Sequence, residues 1–343
     1  MVQQTHSLEN KIAMDIANYV DYFFNLYINN TMIKKKIINS VRRLIGTPFM
    51  QMQLTEAIQD TSKRLLFEQR CSELRQHIMD DTRDGVSSDT YASHNIVVSL
   101  TSYGRRLGDV SYAIESIMQQ IVKPNRIILW LTNDDMNHLP QALMHQQKRG
   151  LEIRSCKDLR SYKKLIPALK LCSEDAIITI DDDILYDYDI VDRLIAAYKS
   201  NSEYIHACRA HRITFSSDGS LMPYNQWTWC ISNVGPNRLN YATSGAGTLF
   251  PPHSLDEEVT NEDVFMDICK SSDDVWINAM AIKKGTLVNK VQTRWRGGED
   301  YLDNPAVQDT ALYNVNAKEN GLLLNDKQLK DVFSRYNLYE KLI

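Results

Sequence analysis

The sequence predicts an α/β fold with a mainly parallel sheet flanked by helices, preceded by an N-terminal helical extension. From Asn95 onward, short apolar runs typical of buried strands alternate with apolar residues at helical spacing, the pattern of βαβ units. One apolar run, in the stretch AIITIDDDILY at Ala176–Tyr186, leads directly into three consecutive aspartates. Because ligands of open α/β sheets bind at the carboxyl ends of strands, this stretch marks the predicted site.

The region from Asn95 to Gln292 supplies the predicted elements of the sheet. The predicted strands are Ile96–Leu100, Ile127–Leu131, Leu151–Ser155, the run from Ala176, Tyr204–Thr214, Tyr241–Phe250 and Thr286–Gln292. The predicted helices begin near Val110 and span Leu139–Gln147, Lys163–Cys172 and Asp189–Lys199, with a last one from Ser272 or Asp273 to Gly285.

The chain is predicted to have three parts: a helical region 1–94, a catalytic domain 95–300 and a helical tail 301–343. The polar segment Asp80–His94 marks the first boundary. Within the first part, Met32–Ile45 mixes lysine and arginine with isoleucine, leucine and valine, typical of a basic amphipathic helix. Such a helix could lie on an anionic membrane or pack on its own domain or a second subunit. Both interpretations, peripheral membrane contact and homo-oligomerisation, stay open.

Composition bounds the class of protein. The 343 residues are 43% hydrophobic and 24% charged, as in ordinary globular proteins, and the net charge of -4 gives no reason to predict a nucleic-acid partner. The six cysteines form no C-x-x-C pair and suggest reduced residues of a cytoplasmic protein. The start, MVQQTHSLENK, lacks the basic and apolar stretches of a signal peptide, and no apolar run approaches the roughly 20 residues of a membrane span.

The three aspartates, Asp181–Asp183, concentrate negative charge at the end of a buried strand. Two unit charges about 4 Å apart repel by ~1 kcal/mol in water and by ~4 kcal/mol at an effective dielectric near 20. A divalent cation would remove this repulsion, and oxygen ligands suit magnesium, manganese or calcium. In an extended segment Asp181 and Asp183 would point to the same side. The alternative interpretation is a solvated acidic turn.

Several segments together resemble the nucleotide-sugar-binding half of GT-A glycosyltransferases, closest to the family-2-like enzymes of bacterial surface-polysaccharide and lipopolysaccharide synthesis. The segments that carry the resemblance are IVVSLTSYGRRL, KPNRIILWLTNDD and TIDDDILY, with SYKKLIPAL, SGAGTLFPP and DDVWINAMA resembling one bacterial subgroup. The resemblance covers roughly residues 95 to 292. It implies a metal-dependent, inverting enzyme that moves a sugar from a nucleotide-diphosphate sugar to a bacterial glycan or lipid-linked acceptor. The expected location is the cytoplasm, where the N-terminal helices could hold the enzyme at the inner face of the plasma membrane.

The resemblance places the family's D-x-D motif on Asp181–Asp183, with Asp181 and Asp183 as ligands of Mn²⁺ or Mg²⁺ and Asp182 able to replace either. A bound cation would neutralise the leaving diphosphate. The resemblance also implies a catalytic base at Asp273 or Asp274, and Asp274 is preferred because it matches the last acidic position of the family's motif. Alternatively, both are aspartates favoured at a helix start, where the helix dipole would lower their pKa.

The resemblance implies supporting roles for residues around the sheet edge. The predicted nucleotide-sugar contacts are Thr101, Tyr103, Arg105, Asp134, Lys163, Lys164, Asp181, Asp182, Gly245 and Gly247, with Asp135, Arg106 and Arg209 as further candidates. For the basic residues, a solvated surface position is the alternative. Trp227 and Trp229 could stack on an acceptor sugar or belong to the core.

Two departures from the family pattern limit the prediction. The last histidine is His253, so the C-terminal histidine ligand of many such enzymes has no counterpart, and QTRW at Gln292–Trp295 is one residue shorter than the motif of processive synthases. Transfer of a single sugar is therefore expected. Two other classes stay open: a nucleotidyltransferase, although no glycine-rich phosphate loop is present, and a non-enzymatic cation-binding interaction module.

Overall fold

A computed structural model describes residues 48–232, 235–292, 301–306 and 324–342. The helices are α1 Pro48–Asp80, α2 Val110–Met118, α3 Asn133–Met136, α4 Gln141–Gln147, α5 Ile166–Leu171, α6 Ile190–Ser200, α7 Glu262–Ile268, α8 Asp273–Lys284, α9 Leu324–Tyr336 and α10 Tyr339–Leu342. The strands are β1 Ile96–Thr101, β2 Arg126–Leu131, β3 Leu151–Ser155, β4 Ala176–Ile180, β5 Ile184–Tyr186, β6 Ile205–Ala207, β7 Ala210–Arg212, β8 Gly235–Asn237, β9 Asn240–Ala242, β10 Ala246–Phe250, β11 Val288–Lys290 and β12 Tyr301–Asp303. Short 3-10 turns lie at Gly104–Gly108, Arg160–Lys164, Tyr224–Gln226 and Glu257–Thr260.

Within the described residues, eight strands form one sheet in the order β3-β2-β1-β4-β10-β6-β11-β8. Strands β1 to β4 run parallel, and β6 runs parallel to β11, whereas β10 lies antiparallel between β4 and β6 and β8 is antiparallel to β11. The predicted fold class, an α/β fold with a mainly parallel sheet, is confirmed. Because β1 and β4 are central and parallel, the loops that follow them open on the same edge of the sheet.

Helices cover both faces of the sheet, and the alternation of side chains along each strand divides the core between them. On one face, Val97 of β1 lies in a buried cluster with Trp276 of α8. On the other face, the next residue, Val98, lies in a second cluster with Ile114 of α2 and Leu194 of α6. The buried strands therefore read in the sequence as continuous apolar runs.

Two predicted strands each form two strands, and for the second of them, YATSGAGTLF, the sequence predicts an interruption by glycines. In the predicted strand Tyr204–Thr214, β6 belongs to the large sheet and β7 pairs with β9 in a separate two-stranded sheet. In Tyr241–Phe250, residues 243–245 separate β9 from β10. Hydrophobic periodicity does not show these breaks, because the apolar and aromatic residues on both sides remain buried.

The chain divides into two compact units, Met1–Gln69 and Arg70–Ile343, with the break inside α1. All strands and the predicted site belong to the second unit. The predicted division at residue 94 stays a prediction. The basic segment at residues 32–45 and residues 293–295 of the QTRW motif lie outside the described residues. Within the described part of the chain, no helix is both long and apolar enough to cross a membrane.

Candidate active site

The aspartate triplet forms a turn at the carboxyl end of β4. All five residues of β4 are buried, and the buried strand β5 begins directly after Asp183. Strand β12 pairs antiparallel with β5, and the backbone N–H of Asn304 donates to the carbonyl oxygen of Asp183 at 2.7 Å. The triplet is therefore held on both sides, and its backbone is a turn, not the extended segment that the sequence suggests.

Arg106, in the 3-10 turn after β1, bridges two of the three aspartates. Its Nη1 lies 2.6 Å from Oδ1 of Asp182, and its Nη2 lies 2.6 Å from Oδ2 of Asp183. The hydroxyl of Ser102 donates to the other oxygen of Asp182 at 2.6 Å. Asp182 and Asp183 therefore share the positive charge of Arg106, whereas Asp181 pairs with a lysine.

Lys164 joins the triplet to the start of α8. Its ammonium lies 2.7 Å from Oδ1 of Asp181 and 3.2 Å from Oδ2 of Asp273. The Ser99 hydroxyl in β1 donates to the Lys164 carbonyl oxygen at 2.6 Å, which fixes the backbone that presents this side chain. The lysine predicted to contact the diphosphate thus spans two carboxylates that are distant in sequence, and it brings the predicted metal-binding and catalytic residues into one site.

The three aspartates have different pKa values because their environments differ. Burial raises the pKa of Asp182 to about 7, although the positive charge of Arg106 offsets part of the rise. Burial and the charge of Asp181 also raise the pKa of Asp183. Burial acts on Asp181 in the same direction, but the Lys164 ammonium outweighs it, and the pKa of Asp181 is lowered. Asp181 is therefore the member of the triplet most firmly held as a carboxylate.

Asp274 lies on the first turn of α8 and accepts hydrogen bonds from the loop that precedes β10. Its Oδ1 accepts from the backbone N–H of Ser244 at 2.9 Å and from the Ser244 hydroxyl at 2.5 Å. Asn278, one turn further along α8, binds the backbone of Ala242 through both its amide nitrogen and its amide oxygen, each at 2.8 Å. These contacts fix the loop against the helix that carries Asp274.

The pKa of Asp274 is raised to about 6, chiefly by burial and then by the negative charge of Asp273. Burial therefore raises the pKa of Asp274 at a helix start, a position where the helix dipole acts in the opposite direction. A carboxyl with a pKa near the working pH is suited to proton transfer. Asp273 has a different environment, since it is buried and paired with Lys164.

The two predicted glycine positions differ in what they contact. A Cβ at Gly245 would lie 1.8 Å from Oδ2 of Asp181, so glycine is needed there for the Asp181 carboxylate to occupy its place. Gly247 has a φ of +91°, and a Cβ there would lie 2.8 Å from Cδ1 of Ile190 in the core. Gly245 is therefore a site residue, whereas Gly247 packs against α6.

We expect Gly245→Ala to displace the Asp181 carboxylate and lower the melting temperature by several degrees, because the new methyl group and the carboxylate cannot both fit. Gly108→Ala is the matched control, since a Cβ at Gly108 has no atom within 4 Å. Thermal unfolding of the two variants checks this expectation. Equal melting temperatures would show that Asp181 does not need the space above Gly245.

The loops after β1 and β2 are joined by Asp135 and not by its neighbour. Oδ1 of Asp135 accepts from the backbone N–H of Gly104 at 3.0 Å, and Oδ2 accepts from the Thr132 hydroxyl at 2.7 Å. Asp134 is exposed. The hydroxyl of Thr101 donates to the carbonyl oxygen of Trp130 at 2.8 Å, so it supports the pairing of β1 with β2.

The other predicted contacts are spread around the same edge of the sheet. Lys163 is buried, with its ammonium 3.5 Å from Asp158. Tyr103 is half exposed, and Arg105 is exposed beside it. Arg209 donates to the Thr243 hydroxyl at 2.6 Å and to the hydroxyl of a tyrosine in β12.

The two predicted tryptophans have different environments. Trp227 is 4% exposed and donates its ring N–H to the carbonyl oxygen of Met222 at 2.8 Å, which makes it a core residue. Trp229 is 39% exposed and stacks on the His211 ring with a centroid separation of 4.7 Å. Of the two, Trp229 is accessible to a sugar ring.

Sequence patterns leave out three residues of this site. Ser102 and Ser244 hold carboxylates, and Asn278 fixes the loop against α8. Arg106 is only one of several basic candidates in the sequence, yet it makes the closest contacts to the triplet. The signal for Arg106 is its position directly after β1, where a side chain can reach the end of the adjacent strand β4.

The aspartate triplet offers carboxylate oxygens, the donor type that a hard divalent cation prefers. The ion pairs engage Oδ1 of Asp181 and Oδ2 of Asp183, which leaves the second oxygen of each outside these pairs. Within the part of the chain that the structure describes, no group of three or more histidine, cysteine, aspartate or glutamate side chains is placed to hold a metal ion. A cation here would need ligands besides the described carboxylates, and magnesium commonly takes such ligands from water and substrate phosphates.

Comparison with known proteins gives limited information. No family model and no curated protein matches the sequence. One solved structure that matches is that of TarS residues 1–349 from S. aureus, with 12% identity, a TM-score of 0.40 and coverage of 71% of this chain and 72% of that chain. At this level of similarity, the function has to be argued from the residues of the chain itself.

Proposed function

We propose that the protein is a glycosyltransferase that moves one sugar from a nucleotide-diphosphate sugar to a bacterial glycan or lipid-linked acceptor, with inversion and without polymerisation. The observation that carries this proposal is the Lys164 bridge. Lys164 lies 2.7 Å from Asp181 and 3.2 Å from Asp273, so the strand-end aspartates and the acidic start of α8 form one site. Sugar transfer needs both, one set of groups for the diphosphate and a base for the acceptor.

Asp274 is the proposed base. With its pKa raised to about 6, it is ionised at neutral pH and can take the proton of an acceptor hydroxyl as that oxygen attacks the anomeric carbon. The N–H and hydroxyl of Ser244 hold one carboxylate oxygen in a fixed direction. Asp273 next to it is neutralised by Lys164 and supports the site through charge balance.

Asp181 and Asp183 are the proposed ligands of Mn²⁺ or Mg²⁺, and the bound cation would neutralise the negative charge that develops on the leaving diphosphate. The absence of a phosphate-binding glycine loop of the type used by many nucleotide-binding proteins is consistent with a donor held through its diphosphate in this way. We further propose that the enzyme works in the cytoplasm at the inner face of the membrane, where lipid-linked acceptors are exposed.

Thermal shift with UDP-, GDP- and dTDP-sugars, each with and without Mn²⁺, tests donor binding. We expect one nucleotide class to raise the melting temperature, and to do so more strongly with Mn²⁺, because a ligand that binds only the folded protein stabilises it. If no nucleotide sugar stabilises the protein under either condition, the proposed donor class is wrong.

Asp183→Asn should abolish the additional stabilisation by Mn²⁺ while the protein remains folded, since the carboxylate proposed to bind the cation is removed. Asp175→Asn is the matched control, because Asp175 lies just before β4, at the end opposite the triplet. The two variants are compared with the unmodified protein by the same thermal assay. Mn²⁺-dependent stabilisation that survives Asp183→Asn would remove Asp183 from the proposed metal site.

A further inference from the structure

Arg106 already pairs with Asp183, one of the two carboxylates proposed to bind the cation. Its two terminal nitrogens contact carboxylates of two different residues, Asp182 and Asp183, each at 2.6 Å. An arginine usually grips one carboxylate with both nitrogens, which gives the two parallel hydrogen bonds of a fork. Here each terminal nitrogen contacts a different aspartate, so the guanidinium group is the shared counter-ion of Asp182 and Asp183.

The position of Arg106 depends on these two contacts. Its side chain is 13% exposed, and its Nε is buried with no hydrogen-bond partner among the described residues. Besides the carboxylates, its guanidinium lies 5.8 Å from the ring centroid of Tyr103, which is itself 49% exposed. In its observed position, Arg106 therefore has the Tyr103 ring as a weaker contact in addition to the two carboxylates.

A divalent cation and a guanidinium group cannot both make contact with Asp183 at low cost, because two positive charges this close repel each other strongly in a poorly solvated site. The side chain of Asp183 is 14% exposed and that of Asp182 is 4% exposed, so water screens this repulsion little. A cation at Asp183 therefore competes with Arg106 for the negative charge of that carboxylate, while Asp182 can keep its contact.

We propose that Arg106 is the resident counter-ion of the aspartate triplet and competes with the divalent cation for Asp183. This inference rests on the metal site of the proposed function. It assigns to Arg106 a positioning role that the resemblance does not give it: the residue holds the two carboxylates in place before the cation arrives and sets how much cation is needed to occupy the site.

The affinity for Mn²⁺ tests the proposal on the whole chain without substrate. Isothermal titration, or electron paramagnetic resonance of unbound Mn²⁺, gives the dissociation constant for the protein and for Arg106→Gln. We expect Arg106→Gln to bind Mn²⁺ about tenfold more tightly, equivalent to about 1.4 kcal/mol, because the competing charge is gone. We expect Arg106→Lys to bind about threefold more tightly, since an ammonium group cannot span both carboxylates.

Arg126→Gln is the matched control, because Arg126 makes an ion pair of the same length, 2.6 Å, with Glu152 away from the triplet. Its dissociation constant for Mn²⁺ should equal that of the unmodified protein. Arg106→Lys also keeps the charge, so it can be compared with the unmodified protein even if the glutamine variant is unstable.

Equal or weaker Mn²⁺ binding by both Arg106 variants would overturn the competition and leave the metal site intact. No Mn²⁺ binding by any of the proteins would overturn both the competition and the metal dependence, whereas release of nucleoside diphosphate would still report on sugar transfer.

Discussion

Asp274→Asn is expected to lower the turnover of sugar transfer by about 100- to 10,000-fold, the usual contribution of a general base. The amide can still accept the hydrogen bonds that Ser244 gives to the carboxylate, at 2.9 and 2.5 Å, so the loop should stay in place. Affinity for the donor should change little, because the proposed donor contacts lie at the triplet. Steady-state kinetics with a saturating donor measure the loss, and thermal shift with the donor measures the retained binding.

The pH dependence of the unmodified enzyme follows from the same residue. The pKa of Asp274 is raised to about 6, so the carboxylate is ionised above that pH and protonated below it. Only the ionised form can accept a proton, and turnover should therefore fall as the pH drops through about 6. The low residual rate of Asp274→Asn should lose this acidic limb. If Asp273→Asn, and not Asp274→Asn, removes the limb, the base is Asp273.

Lys164→Met is expected to destabilise the protein by about 3–5 kcal/mol, the usual cost of removing one partner of a buried ion pair. The Lys164 side chain is 7% exposed and contacts both Asp181 and Asp273, so its loss leaves two carboxylates without their cation. Urea unfolding gives the change in the free energy of unfolding. Lys157→Met is the control, because Lys157 and its pair with Glu262 lie at the surface, so its loss should leave the free energy of unfolding nearly unchanged.

Lys164→Met should also change the pKa of Asp274. The positive charge of Lys164 lowers the pKa of Asp274, against the larger effect of burial. Without that charge the pKa of Asp274 should rise, so the acidic limb of the pH profile should move to higher pH. A purely structural role would lower stability without this shift. A limb that stays near pH 6 in a folded Lys164 variant would show that Lys164 does not act on the base.

The sequence predicts the central part of the fold because its strands are buried on both faces. Strands β1, β2 and β4 appear as apolar runs with bounds within one residue of those observed, and the aspartates follow β4 as expected. The three-residue strands β7 and β9 carry no such signal. They pair with each other in a small sheet, so their boundaries depend on tertiary contacts and not on periodicity.

The sequence predicts the residue types of the site but not which basic residue pairs with which aspartate. The sequence indicates that Asp181–Asp183 need a positive partner, and it offers lysines and arginines without ranking them. The choice of Arg106 for two of the aspartates and Lys164 for the third depends on the distances between loops that follow different strands. Ser244 lies in the SGAGTLFPP segment, but the sequence does not indicate its role, which comes from the approach of its loop to α8.

The most direct measurement of the central proposal is the release of nucleoside diphosphate from UDP-, GDP- and dTDP-sugars by the purified protein, with Mn²⁺ and with water or a glycan extract as acceptor. We expect release from one nucleotide class, a rate that rises when an acceptor is supplied, and loss of that release in Asp274→Asn. Release of pyrophosphate from a nucleoside triphosphate and a sugar phosphate, with no nucleoside diphosphate from any donor, would contradict it.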